Sequence, residues 1–123
     1  MSKHGIILFG HGARDPRWAE PFERLASKLR AQRGDPVSLA FLELMSPDLP
    51  SAVAVQVDDG CDAITVVPVF FGQGGHVRRD LPEIVDKCRA NHPGVRIDCA
   101  TAVGEDEAVL DAVAGYCLRE TNP

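Results

Sequence analysis

The sequence is poor in aromatic residues and lacks the features that mark several other classes of protein. Only 6% of its 123 residues are aromatic, including one tryptophan and one tyrosine. Lysine and arginine form no basic block and the formal charge is −5, so binding to nucleic acid or to an anionic membrane surface is not expected. No apolar run approaches the ~18 residues of a membrane span. With 45% hydrophobic and 25% charged residues, the chain is typical of a globular protein.

The cysteines also lack the spacing of a redox or metal motif, because no two of them form a CxxC pair. Each lies in or beside a predicted helix or strand, so we expect four buried thiols, at Cys61, Cys88, Cys99 and Cys117. The first residues show neither the apolar core nor the cleavage site of a secretion signal, and we expect a cytoplasmic protein. A chain of this length should form one domain over residues 1–123, with a core that needs neither metal nor disulfide.

Short apolar runs alternate with helical patterns along the whole chain. The runs predict buried strands at residues 5–9, 37–42, 63–69 and 95–99. Helices follow each run, with predicted starts at Asp15-Pro16 and Ser46-Pro47 and a last helix over about 105–119. Four repeats of strand and helix require parallel strands with right-handed crossovers. The pattern therefore predicts an α/β three-layer sandwich of the flavodoxin-like type, with helices on both faces of a four-stranded parallel sheet.

Histidines follow the first and third predicted strands. His11 lies between Gly10 and Gly12, and His76 ends a glycine-rich loop. Glycine neighbours permit a sharp turn and leave space beside an imidazole. Parallel strands end at one edge of the sheet, where open α/β sheets bind ligands, so we expect both histidines in one site. For a single histidine, a hydrogen bond to a backbone carbonyl is an equally ordinary explanation.

Glu43 follows the second strand and is either a solvated loop charge or a third member of this site. A set of His11, Glu43 and His76 suits a first-row divalent metal, and Glu43 can also accept protons. The glycine-rich loop lacks the lysine and the spacing of nucleotide-binding loops, so a nucleotide site is the weaker interpretation. The other two histidines, His4 and His92, are assigned to the surface.

Four arginines should surround the same edge of the sheet with positive charge. Arg14 and Arg17 follow the first strand, and Arg78 and Arg79 follow the third. A guanidinium binds a carboxylate through two parallel hydrogen bonds, so these residues predict an acidic small-molecule ligand. The alternative is that they only make a helix surface soluble.

Three motifs in order carry a family resemblance. They are LFGHGARDP at 8–16, FLEL at 41–44, and VPVFFG at 67–72 leading to GHVRRD at 75–80. They resemble the class II tetrapyrrole chelatases, in particular the small single-domain sirohydrochlorin cobaltochelatases, over nearly the whole chain. The departure from the family pattern is Ala13, where the motif usually has serine.

The resemblance implies a chelatase-like fold and an ATP-independent enzyme, a lyase, that inserts a divalent metal into sirohydrochlorin or a related carboxylate-rich tetrapyrrole. The metal is then a substrate, Co²⁺ in cobalamin synthesis or Fe²⁺ in siroheme synthesis, with Ni²⁺ as a third candidate, and no permanently bound cofactor is implied. A homodimer is implied too, because larger members fuse two such domains around the cleft.

The roles expected of individual residues follow from the resemblance and from the charge pattern together. Metal binding and catalysis are implied for His11, Glu43 and His76. We assign substrate binding to Arg14, Arg17, Arg78, Arg79, Gly74 and Gly75.

Two other classes of function remain open on the sequence. A non-catalytic metal or tetrapyrrole carrier would use the same ligands, and multiple-turnover metal insertion separates it from an enzyme. A phosphoryl-transfer enzyme with His11 as nucleophile also places a histidine after a strand. In the Arg-His-Gly phosphatases, however, an arginine stands where this chain has Gly10.

Overall fold

The structure is a computed structural model that describes residues 2–72 and 74–121, without the side chain of His76. The strands are β1 (His4–Gly10), β2 (Val37–Phe41), β3 (Ala63–Pro68) and β4 (Arg96–Cys99). The helices are α1 (Glu20–Gln32), α2 (Leu49–Asp58), α3 (Gly75–Asn91) and α4 (Glu107–Thr121), with 3₁₀ turns at Pro16–Ala19 and Val103–Glu105. No helix within this described part of the chain has the length and apolar composition to cross a membrane.

All four strands are parallel, in the order β2-β1-β3-β4. The predicted α/β fold with a four-stranded parallel sheet is therefore confirmed. Strand order reverses at β1, because the chain proceeds from β1 to one side and later returns to the other. The carboxyl ends of β1 and β3 thus form the crevice in which open α/β sheets bind ligands.

The sheet separates two apolar layers of unequal size. The larger one lies between the sheet and helices α2 and α3, and its fully buried members include Ile7, Phe9, Val53, Ile64, Val66 and Val85. The smaller one lies under α1, where Leu8, Ala26 and Val37 are buried. Helices lie on both faces, as predicted. The fourth helix joins neither layer, since none of the α4 side chains is buried.

The start of α2 differs from the prediction. Asp48, and not Ser46, caps the helix, since its Oδ1 accepts a hydrogen bond from Ser51 N–H at 2.9 Å. The predicted start is wrong because the carbonyl of Pro47 accepts from Phe41 N–H at 2.9 Å. That bond holds this segment against the end of β2, so the helix begins later.

Replacing the cap should weaken the fold measurably. We expect Asp48→Ala to lower the free energy of unfolding by about 1 kcal/mol and Asp48→Asn to cost much less, because asparagine also caps helices. The hydrogen bond from Ser51 holds the pKa of the Asp48 carboxyl below its usual value. Its charged form therefore stabilises the fold above the unfolded-state pKa, and this contribution is lost as pH falls through the folded-state pKa.

Urea denaturation of wild type and both variants at about pH 7 and about pH 3 measures this effect, because the ordinary aspartate pKa lies near 3.9. The stability difference between wild type and Asp48→Asn should shrink at the lower pH. A difference that is the same at both pH values would contradict the role given to the charged cap.

The prediction for the cysteines is correct for two of them. Cys61 and Cys88 are buried, and burial raises the pKa of both thiols. Cys99 and Cys117 are exposed, which corrects the expectation of four buried thiols. Cys99 is the last residue of the edge strand β4, and Cys117 lies on α4, a helix without a buried side chain.

The two histidines assigned to the surface are half-buried instead. His4 is the first residue of β1, and its Nε2 lies 2.7 Å from the hydroxyl of Thr65. His92 ends α3, where its backbone N–H donates to the carbonyl of Cys88 at 3.1 Å. Both lie at the amino edge of the sheet, opposite the predicted site.

Candidate metal centre

Two glycines permit the turn that carries His11 out of β1. A Cβ at Gly10 would lie 2.6 Å from the ring of Phe22. Gly12 has a φ of +99°, and a Cβ there would collide with the carbonyl oxygen of Glu43. The positive φ of Gly12 confirms the predicted sharp turn, whereas Gly10, the last residue of β1, permits the close approach of Phe22.

Main-chain hydrogen bonds continue the pairing of β1 with β2 past the ends of both strands. Leu42 N–H donates to the carbonyl of Gly10 at 2.9 Å, and Glu43 N–H donates to the carbonyl of His11 at 3.2 Å. With the two loops in register, His11 Nε2 lies 3.2 Å from Glu43 Oε1. These side chains are 48% and 52% exposed. The structure therefore brings two of the predicted residues together on an open surface.

The separation of these two atoms suits metal binding as well as a direct hydrogen bond. Imidazole nitrogen and carboxylate oxygen are both ligands of first-row divalent metals. Two ligand atoms that each lie about 2.1 Å from one tetrahedral metal are roughly 3.4 Å apart. His11 and Glu43 could therefore hold one ion with little movement of either side chain.

The loop after β3 starts beside the His11 loop. Val69 N–H donates to the carbonyl of Phe9 at 2.8 Å, which extends the pairing of β1 with β3 to this edge. The loop leads into α3, whose first turn contains His76. The side chain of His76 lies outside the described residues, so its predicted role rests on the path of the backbone. Among the side chains that are described, no three histidine, cysteine or acidic residues form a metal site.

Arg17 is engaged by a neighbouring carboxylate. Its Nη2 lies 2.7 Å from Asp15 Oδ2, and its Nε lies 3.1 Å from both carboxylate oxygens. The hydrogen bonds between the two side chains hold the pKa of Asp15 below and that of Arg17 above the usual values. Asp15 also accepts from Arg17 N–H at 2.9 Å, which makes it the cap predicted from the sequence, although of the 3₁₀ turn before α1. Arg17 must leave this pair to bind a substrate carboxylate.

The other predicted substrate-binding residues lie exposed near the same edge. Arg14 is on the loop after His11, and Arg78 and Arg79 are in the first turns of α3. Gly74 caps that helix, and its carbonyl accepts from Arg78 N–H at 3.0 Å. A Cβ at Gly74 or Gly75 would meet no heavy atom of the described residues within 4 Å, chain neighbours aside.

Two exposed apolar side chains at this edge were not predicted as site residues. Leu44, directly after Glu43, is 59% exposed and has a φ of +67°. That conformation costs an L-residue about 1–2 kcal/mol, and such strain is concentrated at functional sites. Phe71, in the loop after β3, is 63% exposed. In the sequence both residues continue apolar runs, so only their exposure distinguishes them from core residues.

Several curated relatives of the chain are sirohydrochlorin cobaltochelatases. A sirohydrochlorin cobaltochelatase of Methanocaldococcus jannaschii is 35% identical over 88 residues, which cover 71% of this chain and 62% of the relative. One of Sulfurisphaera tokodaii is 31% identical over 108 residues, or 88% and 86% of the two chains. The chain thus spans less than two thirds of the first relative and most of the second.

Solved structures show the same fold. A cobalamin biosynthesis CbiX protein of Marinobacter aquaeolei VT8 superposes with a TM-score of 0.84 at 34% identity, covering 95% of this chain and 96% of that one. The sirohydrochlorin chelatase SirB of Bacillus subtilis subspecies spizizenii, in complex with cobalt, superposes with a TM-score of 0.80 at 28% identity. This chain covers only 51% of SirB, although 97% of its own length is matched.

The family model named CbiX matches residues 5–117, a range that contains the His11–Glu43 pair, the glycine-rich loop and, except for His4, the four strands. A match over this much of the chain, together with relatives above 30% identity, shows that the chain belongs to the CbiX family.

Proposed function

We propose that this chain is a chelatase that inserts a divalent metal ion into sirohydrochlorin or a closely related carboxylate-rich tetrapyrrole, without ATP. The observation that carries the proposal is the His11–Glu43 pair, 3.2 Å apart on the open carboxyl edge of the sheet. The names of the cobaltochelatase relatives and the cobalt in the SirB structure support the same chemistry.

His11 and Glu43 receive the metal ion. About half of each side chain is exposed, so a hydrated ion can reach Nε2 and Oε1 directly from solvent. His76, on the first turn of α3, supplies the third ligand in this proposal. The ion is a substrate and must leave again, and an open site with few ligands favours the necessary weak binding. Nitrogen and oxygen ligands suit Co²⁺, Fe²⁺ and Ni²⁺ alike.

The same side chains take up the protons that the reaction releases. Insertion requires two pyrrole N–H groups to lose their protons, so that the nitrogen lone pairs can bind the metal. Neutral imidazoles at His11 and His76 accept these protons. The carboxylate of Glu43 stabilises the imidazolium formed at His11, 3.2 Å away. Because this pair is exposed, the protons can then pass to water.

Charged and apolar side chains at this edge hold the tetrapyrrole. Leu44 and Phe71 offer exposed apolar surface, which suits the face of a flat macrocycle. Arg14, Arg78 and Arg79 offer guanidinium groups for its peripheral carboxylates. The residues that bind the metal and those that bind the tetrapyrrole are then different, so substitutions can affect metal binding and tetrapyrrole binding separately.

The Arg14→Ala variant tests this separation. A hydrogen bond to a charged group is worth about 1.5–3 kcal/mol, so tetrapyrrole affinity should fall roughly tenfold to a hundredfold. Metal affinity should stay within twofold, because Arg14 is not a metal ligand. Absorbance titration with metal-free sirohydrochlorin and separate titration with Co²⁺ measure the two affinities. Arg24→Ala, at an exposed position on α1, is the matched control. Equal tetrapyrrole affinity in wild type, Arg14→Ala and Arg24→Ala would mean that Arg14 only makes the surface soluble.

Anaerobic incubation tests the activity itself. Sirohydrochlorin is mixed with Co²⁺, Fe²⁺ or Ni²⁺ and a tenth of its concentration of protein, and the absorbance change is followed against a protein-free sample. Metal insertion into the whole pool of tetrapyrrole is expected. Conversion that stops at one ring per protein would indicate a carrier instead, and absence of any acceleration would contradict the proposal.

A homodimer is part of the proposal. The His11–Glu43 pair lies on an open surface, and a second protein surface is needed to bury most of a bound macrocycle. SirB supports this, since its chain is about twice as long as the part that this chain matches. The cytoplasmic location stays a prediction.

A further inference from the structure

Leu44 is an exposed apolar residue in a backbone conformation that leucine rarely adopts. It lies in the middle of the loop 42–46, which is closed by a hydrogen bond from Phe41 N–H to the carbonyl of Pro47 at 2.9 Å. Its φ of +67° is readily adopted by glycine and tolerated by asparagine, but it is strained for leucine. Since Leu44 is 59% exposed, packing within the described chain does not explain why this position has an apolar side chain. Strain of this kind is typical of functional positions.

Phe71 is a second exposed apolar residue, in a loop whose backbone is held firmly in place. Its neighbour Phe70 packs against Phe9, with ring centroids 6.4 Å apart. Gly104 N–H donates to the carbonyl of Phe70 at 3.1 Å. A Cβ at Gly104 would collide with the backbone of Phe71, so the turn Val103–Glu105 lies directly against this loop. The loop is therefore fixed on the protein side, while Phe71 itself is 63% exposed.

The order of the strands places these two residues on opposite sides of His11. Leu44 follows β2 and Phe71 follows β3, and both strands are neighbours of β1, which leads to His11. Neighbouring strands lie about 4.8 Å apart, so the two loops leave the sheet about 10 Å apart. This separation is comparable with the width of a tetrapyrrole ring. A ring that contacts both side chains therefore has its centre over His11 and beside Glu43.

We propose that Leu44 and Phe71 bind one face of the tetrapyrrole from the two sides of His11 and thereby centre the ring over the metal-binding pair. The inference rests on the proposed function and assigns the residues that position its substrate. Arginines bind peripheral carboxylates, which are carried on flexible arms and do not fix the centre of the ring. Two apolar contacts with the ring face do so, because they remove the ring and both side chains from water together.

The Leu44→Asn variant tests this role, because asparagine tolerates a positive φ and resembles leucine in shape without its apolar surface. Losing roughly half of the burial of a leucine side chain corresponds to about a tenfold lower affinity for metal-free sirohydrochlorin. Affinity for Co²⁺ should stay within twofold of wild type. The urea midpoint should be no lower than that of wild type, because the substitution relieves backbone strain. Leu44→Met, which restores an apolar side chain, should recover most of the tetrapyrrole affinity.

Two further variants complete the set. Phe71→Ala should lower tetrapyrrole affinity by at least as large a factor as Leu44→Asn, because it removes the larger side chain. Val55→Asn is the matched control, since Val55 is an equally exposed apolar residue on α2. It should leave tetrapyrrole affinity within twofold of wild type. Urea denaturation of each preparation establishes that the variant is folded.

Salt distinguishes contact with the ring face from contact with the carboxylate arms. Ion pairs between exposed groups weaken as salt is added, whereas apolar contacts do not. The ratio of wild-type to Leu44→Asn affinity should therefore be the same at about 0.05 M and about 0.5 M NaCl, while the ratio of wild-type to Arg14→Ala affinity should shrink.

Unchanged tetrapyrrole affinity in a folded Leu44→Asn or Phe71→Ala protein would overturn this inference and leave the proposed function intact. The inference would also be wrong if Leu44→Asn changed the mass measured by light scattering, since Leu44 would then contact a second copy of the chain. A wild type that binds no sirohydrochlorin would overturn the proposed function as well.

Discussion

His11→Ala is expected to reduce metal insertion at least a hundredfold while leaving the domain folded. The substitution removes both a metal ligand and a proton acceptor, and general acid–base groups alone typically contribute 10²–10⁴-fold. The imidazole is about half exposed and contacts Glu43 at the open edge of the sheet, so its loss should cost little stability. Initial rates with sirohydrochlorin and Co²⁺, beside urea denaturation of the same preparations, measure the two effects. His76→Ala should lose activity in the same way.

The control is His92→Ala, which removes an imidazole from the far end of α3 and should leave the rate within twofold of wild type. A folded His11→Ala protein with full activity would contradict the proposed metal site. If activity and stability were lost together, His11 would be a structural residue instead.

Gly12→Ala should have the second largest effect, through the backbone. At a φ of +99° an L-residue is strained by about 1–2 kcal/mol. Its Cβ would also collide with the carbonyl oxygen of Glu43, a main-chain atom that can move only if the two loops separate. Separation would break the Glu43 N–H to His11 carbonyl bond and with it the 3.2 Å side-chain pair. We expect at least a tenfold loss of activity and a destabilisation of roughly 1–3 kcal/mol.

Gly34→Ala is the matched control, because a Cβ at Gly34 would meet no heavy atom of the described residues within 4 Å, its chain neighbours aside. It should change neither rate nor stability appreciably. Wild-type activity in Gly12→Ala would mean that the close contact of the two loops is not required for the reaction.

The parts of the site that follow directly from strand ends were predictable. A continuous apolar run has to be buried on both faces, which predicts β1 to within a residue at each end. Once four such runs are separated by helices, parallel pairing is required, and the residues after the strands have to share an edge. The convergence of His11 and Glu43 was therefore predictable without any knowledge of their distance.

Features that depend on nearby competing groups were not predictable. Ser46-Pro47 and Asp48-Leu49-Pro50 both have the pattern of a helix start, and only the hydrogen bond from Phe41 to Pro47 decides between them. The positive charge of Arg17 was predicted, but not its pairing with Asp15. The helix start and the pairing of Arg17 each depend on which of several possible local hydrogen bonds forms. Each such bond contributes only about 0.5–1.5 kcal/mol to stability, so the sequence pattern does not decide between them.

Local pattern by itself determined the order of the elements, the parallel sheet and the edge that carries the chemistry, because apolar periodicity and glycine spacing act over a few residues. The packing of α4 was decided only by the tertiary structure. Its apolar stripe predicts a helix that ends near Arg119, and the helix ends at Thr121. Such a stripe indicates that a helix is covered by other residues, but it does not identify those residues. Whether a surface lies within reach depends on contacts far apart in the chain, such as the one that presses Gly104 against Phe71.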